Sequence, residues 1–135
     1  MKKTIAALCA SAVLVAGTGS ALAHTQKYPA TVVVRGHADF SGGYSLILGW
    51  VSSPAGTSPC VQNRTVQSRY PDGNGGWTVL DQGTSSRLGW FALIGASTGG
   101  HVFVPRMNLG VPGHRHICRS AVTTDLGVPI SFPPS

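Results

Sequence analysis

Two cysteines, Cys60 and Cys118, constrain this chain more than any other feature. They are the only ones expected to remain after export. Lys2 and Lys3 precede an apolar run from Ile5 to Ala16, and Ala21-Leu22-Ala23 supplies the small-x-small pattern at which signal peptidase cuts. Cleavage after Ala23 discards Cys9 with the leader and leaves residues 24–135 as one domain. Cys9 follows Leu8 rather than a small residue, which argues against a lipid anchor. The leader's apolar run is too short to span a bilayer and no second run follows it, so no transmembrane segment is expected in the mature chain. The expected location is therefore periplasmic or secreted. There a lone cysteine pair forms and persists, and Cys60–Cys118 is expected as a structural disulfide. Closing a loop of that length contributes roughly 4 kcal/mol on the chain-entropy account.

The residues between and around the cysteines read as strands separated by turn formers. Runs rich in β-branched and aromatic residues fall at 28–37, 44–51, 60–70, 77–80, 89–94, 101–104, 116–123 and 127–132. Clusters of Gly, Pro, Asn, Asp and Ser divide them, as in Pro71-Asp-Gly-Asn-Gly-Gly76. Residues 24–27 read as a frayed terminus and 107–113 as irregular. No helical period or capping pattern of any length occurs. Within 60–70, alternation places Cys60, Arg64, Val66, Ser68 and Tyr70 on one face, and neither face is cleanly apolar. The expected fold class is all-β: an antiparallel β-sandwich of about seven strands with one disulfide.

A resemblance sharpens that class. The order Cys60, Arg64-Thr-Val66, a glycine-rich turn, Trp77, a Ser/Thr turn ending in Gly89 before Trp90-Phe91, a strand near Phe103, then Cys118-Arg-Ser-Ala121 resembles secreted bacterial immunoglobulin-like or prealbumin-like (transthyretin-like) domains. The resemblance covers roughly residues 28–130 and implies a small accessory or adhesive sandwich. It carries a fold and no chemistry. The acid-poor turn 82–88 departs from the pattern and offers nothing to a cation.

The charge is one-sided. Lys27 and arginines 35, 64, 69, 87, 106, 115 and 119 face only Asp39, Asp72, Asp81 and Asp125 in the mature chain. Such a balance favours anionic polymers or surfaces. The arginines are scattered singly and match no nucleic-acid-binding motif, so no nucleic-acid partner is expected. An unknown protein or a cell-envelope polymer remains as the partner class.

Several residues are candidates for chemistry. His24 becomes the mature N-terminus after cleavage at Ala23, and its α-amine and imidazole could chelate copper with a nitrogen from His114, His116, His37 or His101. The plain alternative is a frayed end, with His114-Arg-His116 a solvated loop ahead of a strand. Four aspartates, mostly in turns or beside glycine, offer few carboxylate pairs for glycoside hydrolysis. A serine triad from His37 and Asp39 lacks a nucleophile-elbow motif. Asn63-Arg-Thr65 matches a glycosylation sequon, a coincidence behind a leader of bacterial type. Trp50, Trp77 and Trp90, with Tyr44 and Tyr70, either fill the core, the plainer reading, or line a face that stacks sugars or a protein partner. In Trp90-Phe91 the two rings must face opposite ways. No catalytic set and no cofactor emerge. The reading is a non-catalytic module for binding, adhesion or envelope association, with a periplasmic copper protein and a carbohydrate-binding module as alternatives.

Overall fold

The computed structural model describes residues 24–54, 59–111 and 113–130. The expected leader, 1–23, lies outside the described residues, as do 131–135 and the side chains of His24, Val111 and His114. The described chain is all strand and turn. Its strands are β1 (His24–Tyr28), β2 (Thr31–Phe40), β3 (Tyr44–Ser52), β4 (Thr65–Pro71), β5 (Trp77–Thr84), β6 (Trp90–Ala96), β7 (His101–Val104), β8 (Met107–Val111), β9 (His114–Cys118), β10 (Ala121–Thr123) and β11 (Val128–Pro129). They form two four-stranded sheets, β11-β2-β3-β6 and β10-β7-β4-β5, and a three-stranded sheet, β1-β9-β8. Pairing is antiparallel except for β1 with β9 and β11 with β2.

The four-stranded sheets form a sandwich because their central strands turn apolar residues toward one another. In β3 every second residue, Ser45, Ile47, Gly49 and Val51, is buried. In β6 the same alternation buries Phe91 and Leu93 and turns Trp90 outward. Val32, Val34, Ile47, Val51, Phe91 and Leu93 meet Val66, Val102 and Val104 from the other sheet to make the core. A fully buried Val or Leu contributes roughly 1.5–3 kcal/mol, so this layer supplies most of the driving force. Asp81 on edge strand β5 accepts the backbone N–H of Ile94 on edge strand β6 at 2.8 Å and closes that side.

The third sheet grows out of the sandwich. β7–β8 and β9–β10 are two arms of one long hairpin whose ladder is interrupted at Pro105-Arg106 and Arg119-Ser120. The inner arms, β7 and β10, belong to the sandwich, and the outer arms, β8 and β9, project past it. β1 joins the projection along β9, with Tyr28 opposite Cys118. Residues 24–27 and 107–111 are thus strand rather than frayed or irregular. None of their described side chains is fully buried, and pairing holds them in place. The run 116–123 is likewise two strands, which with β1 and β8 raises the number above the seven or so expected.

Everything at the interruption converges on one junction. Residues 59–63 are a turn rather than the start of a strand, with Asn63 left-handed at φ 54°. The turn places Cys60 against Cys118 in a disulfide, Cα atoms 5.3 Å apart. Arg64, fully buried, donates from Nη1 to the Cys60 carbonyl at 2.8 Å, and from Nη2 to the carbonyls of Pro105 at 2.8 Å and Arg119 at 2.9 Å. Those last two carbonyls sit where the hairpin ladder is broken, and the guanidinium supplies donors where no strand does. Ser85 braces the other side: its Oγ accepts the Arg64 N–H at 2.9 Å and donates to the Val61 carbonyl at 2.8 Å. Gly89, at φ 89°, closes the neighbouring turn, and a Cβ there would collide with the Val51 carbonyl.

Arg64→Met keeps the stem volume and deletes the three bonds, leaving buried carbonyls unpaired. It is expected to lower stability by about 3 kcal/mol. Urea unfolding measures this as a lower midpoint at unchanged m-value. A loss below about 0.5 kcal/mol, the scale of a neutral surface change, contradicts the role given to the guanidinium.

Candidate functional site

The outer face of the β11-β2-β3-β6 sheet is apolar over four successive rungs of β3 and β6, with β2 alongside. Register sets Val33, Trp50 and Trp90 on one rung, then Leu48 beside Ala92, then Ala38, Leu46 and Ile94, then Phe40, Tyr44 and Ala96. Strand β3 is apolar on both faces, so one face fills the core and the other looks out. A sandwich sheet open to water ordinarily alternates apolar with polar. Here Phe40, Tyr44, Trp90 and Ile94 are exposed, and Leu46, Leu48 and Trp50 are half-buried. Contiguous apolar surface of this kind marks contact sites.

Both ends of the face are shaped. At one end a concavity of about 250 Å³ is lined by Arg35, Trp50, Leu88 and Trp90. The two indoles lie 5.2 Å apart at 59°, and the Arg35 guanidinium stands 5.9 Å from the Trp50 ring centre. Leu88 is 75% exposed. At the other end Phe40 and Tyr44 stack at 6.1 Å, and Tyr44, Tyr70, Leu80 and Ala96 line part of a concavity of about 390 Å³.

The three tryptophans therefore do not share a site. Trp50 and Trp90 are neighbours on one sheet, whereas Trp77 begins β5 on the other, with its ring 3.8 Å from that of His101. The core reading is corrected for two of them: Trp90 is 50% exposed and Trp77 is 46% exposed. Core volume near Trp90 is already filled by Phe91, as adjacent residues on a strand require.

The polar candidates are largely engaged in local structure. Asp39 accepts from Ser45, Asp72 caps its own turn through the N–H groups of Asn74 and Gly76, and Asp125 accepts from the Gly127 N–H. His37 Nδ1 bonds the Leu126 carbonyl at 2.8 Å, so His37 and Asp39 serve different partners. His114 and His116 lie on strand β9 rather than in a loop ahead of one. The parallel β1–β9 register puts His24 opposite His114 and Gln26 opposite His116. His116 Nδ1 pairs with the Tyr28 hydroxyl at 2.9 Å, and the two rings stack at 5.5 Å. Among the described residues no group of three or more His, Cys, Asp or Glu side chains is placed to hold a metal. The side chains of His24 and His114 lie outside them.

His101 was a spare metal ligand in the sequence and is a buried histidine in the fold. Its Nε2 has no hydrogen-bond partner. Burial, and secondarily the Arg69 charge on the facing rung, lower its pKa from the ordinary 6.5. The Arg69 guanidinium lies 3.8 Å from the Phe103 ring centre.

No family model matches the chain, and no curated protein or solved structure matches it. Among the described residues, no helix is long and apolar enough to cross a membrane. The outer apolar face was missed in the sequence, although the signal was present in β3. A run apolar at both odd and even positions has two apolar faces, one for the core and one turned outward.

The lowered pKa of His101 fixes a pH dependence. The unfolded chain takes up a proton near pH 6.5 that the folded chain refuses until a lower pH. This contribution is complete above pH 6.5 and is lost as the pH falls below it. His101→Gln is expected to flatten the stability profile between pH 7 and pH 5, measured by urea midpoints. A profile as steep as that of the unaltered protein contradicts this.

Proposed function

We propose that this chain is an exported, non-catalytic binding module built as an immunoglobulin-like sandwich. Its apolar sheet face is the contact surface for a cell-envelope protein with a matching apolar patch. The observation that carries the reading is the unbroken apolar ladder from Trp50–Trp90 to Phe40–Tyr44. Trp, Tyr and Arg dominate the side chains that hold protein interfaces together, and Arg35, Trp50, Trp90 and Tyr44 are of those types. A protein partner also fits the geometry better than a glycan does. The Trp50 and Trp90 rings are inclined at 59° rather than coplanar, and Trp77 is on the opposite sheet.

Strand distribution supports the finer fold. β2, β3 and β6 share one sheet and β4, β7 and β10 the other, the arrangement of the A, B, E and C, F, G strands in immunoglobulin-type sandwiches. The disulfide differs, because it joins a turn to an extension strand instead of linking the two sheets.

Copper binding at His24 is a second reading, favoured by one observation. The β1–β9 register brings the expected mature N-terminus opposite His114, and so places an α-amine and two histidine positions at the same end of one strand pair. Anisotropic Cu(II) resonance with nitrogen couplings at one equivalent of copper, absent in His114→Ala, is the expected result for this reading. Resonance identical in the two proteins excludes it.

The binding reading is tested by sedimenting the purified mature chain with isolated envelopes at 0.5 M salt, where charge attraction is screened. The chain is expected to pellet, and to remain in solution after the envelopes are treated with protease. Trp90→Ser/Ile94→Ser is expected to cut the pelleted fraction at least tenfold. A chain that stays soluble with untreated envelopes, or a variant that pellets equally, contradicts the proposal.

A further inference from the structure

The projecting β1-β9-β8 sheet carries a second surface, unrelated to the apolar face. Strand alternation sets Lys27, Arg115, Ile117 and Asn108 on one of its sides, with Lys27, Ile117 and Asn108 on a single rung and Arg115 beside Thr25 and Gly110 on the next. Arg106 and Arg119 continue that side at the hairpin interruption. All four cations are exposed, and Ile117 is buried beneath them. Two adjoining concavities follow, sharing Arg106 and Ile117. One, of about 280 Å³, also takes in Lys27 and Arg119, and the other, of about 230 Å³, takes in Asn108 and Arg115.

These charges have no counterparts. Among the described residues no hydrogen bond or ion pair engages the four side chains, and none of the three strands contains an Asp or Glu. Asp39 lies near the far end of β2, and Asp72 just past the far end of β4. The fold thus brings Lys27, on β1, beside the three arginines of the 106–119 hairpin. Four like charges on so small a sheet repel one another and are stabilised by an anion.

We infer that this face binds a linear polyanion other than nucleic acid whose charges are phosphate groups. Three of the four cations are arginines, whose planar fork matches phosphate oxygens in pairs. Neighbouring strands are about 4.8 Å apart and alternate residues on one strand about 6.8 Å apart, so the cations form a short track instead of a single pocket. No exposed aromatic ring accompanies them, which argues against single-stranded nucleic acid, where stacking carries much of the affinity. Ile117, the apolar residue among them, is buried, so the face has no side chain to insert into a bilayer.

The test uses the processed protein purified after export through its own leader, with long-chain inorganic polyphosphate as the probe. Affinity is measured by calorimetry at several salt concentrations. Four phosphate contacts predict a slope of about −3 in log K against log salt. Arg106→Gln/Arg119→Gln is expected to weaken binding at least tenfold and to reduce the slope magnitude by about 1.4. Trp90→Ser, on the apolar face, is expected to leave both unchanged, so failure here and failure of the apolar-face reading are read separately. Near-ultraviolet circular dichroism establishes that each variant is folded. The inference is overturned by absence of binding at 50 mM salt or by equal affinity of the double variant. It is equally overturned by tighter binding to polygalacturonate, oligo-dT or anionic vesicles than to polyphosphate.

Discussion

A buried guanidinium donating to three backbone carbonyls is the constraint on which the rest of this structure depends. Burying a cation is costly unless its donors are satisfied, and Arg64 engages both terminal nitrogens with the carbonyls of Cys60, Pro105 and Arg119, leaving Nε without a partner. Burial lowers its pKa, yet arginine keeps its proton at any physiological pH. The bonded carbonyls come from the turn before β4 and from both arms of the long hairpin. The adjacent disulfide ties the same segments covalently. The ladder can therefore break at Pro105, which has no N–H to give, without leaving buried oxygens unpaired.

That break has consequences at a distance. It lets β8 and β9 leave the sandwich, which gives β1 an edge to pair with and creates the projecting sheet. The protein consequently has two unlike surfaces on either side of one junction. The apolar ladder of β2, β3 and β6 is a property of the sandwich. The cationic face of β1, β8 and β9 is a property of the extension. Salt screens the cationic face and not the apolar one, so the two proposed attachments are expected to separate by ionic strength.

Much of the sandwich was legible in the sequence because its strands alternate. The opposite facing of Trp90 and Phe91, the β4–β5 hairpin over Pro71–Gly76, and the Cys60–Cys118 pair all followed from residue types and spacing. β1 and β8 did not, because HTQKY and MNLGV have no buried face and owe their conformation to strands far away in sequence. Arg64 shared its alternating set with Cys60, Val66 and Ser68, but neither face of that run was cleanly apolar. A lone arginine in such a set reads as solvent-facing until the three carbonyls that receive it are known. The apolar face was readable in part, from β3, but its continuation into β2 and β6 depends on a register that only the fold supplies. Trp77 illustrates the limit: at the mouth of a hairpin, it packs on His101 from a strand whose identity spacing alone does not reveal.

The central claim, that Arg64 and the disulfide act as one junction, is tested most directly by a double-mutant cycle. Arg64→Met, Cys60→Ser/Cys118→Ser and their combination are compared with the unaltered protein by equilibrium urea unfolding. Groups that share partners couple by about 0.5–3 kcal/mol, whereas independent sites add to within about 0.5 kcal/mol. The account predicts coupling of at least about 1 kcal/mol, with the second lesion costing less once the first has opened the junction. Strict additivity would contradict it and make the arginine and the disulfide two unrelated supports.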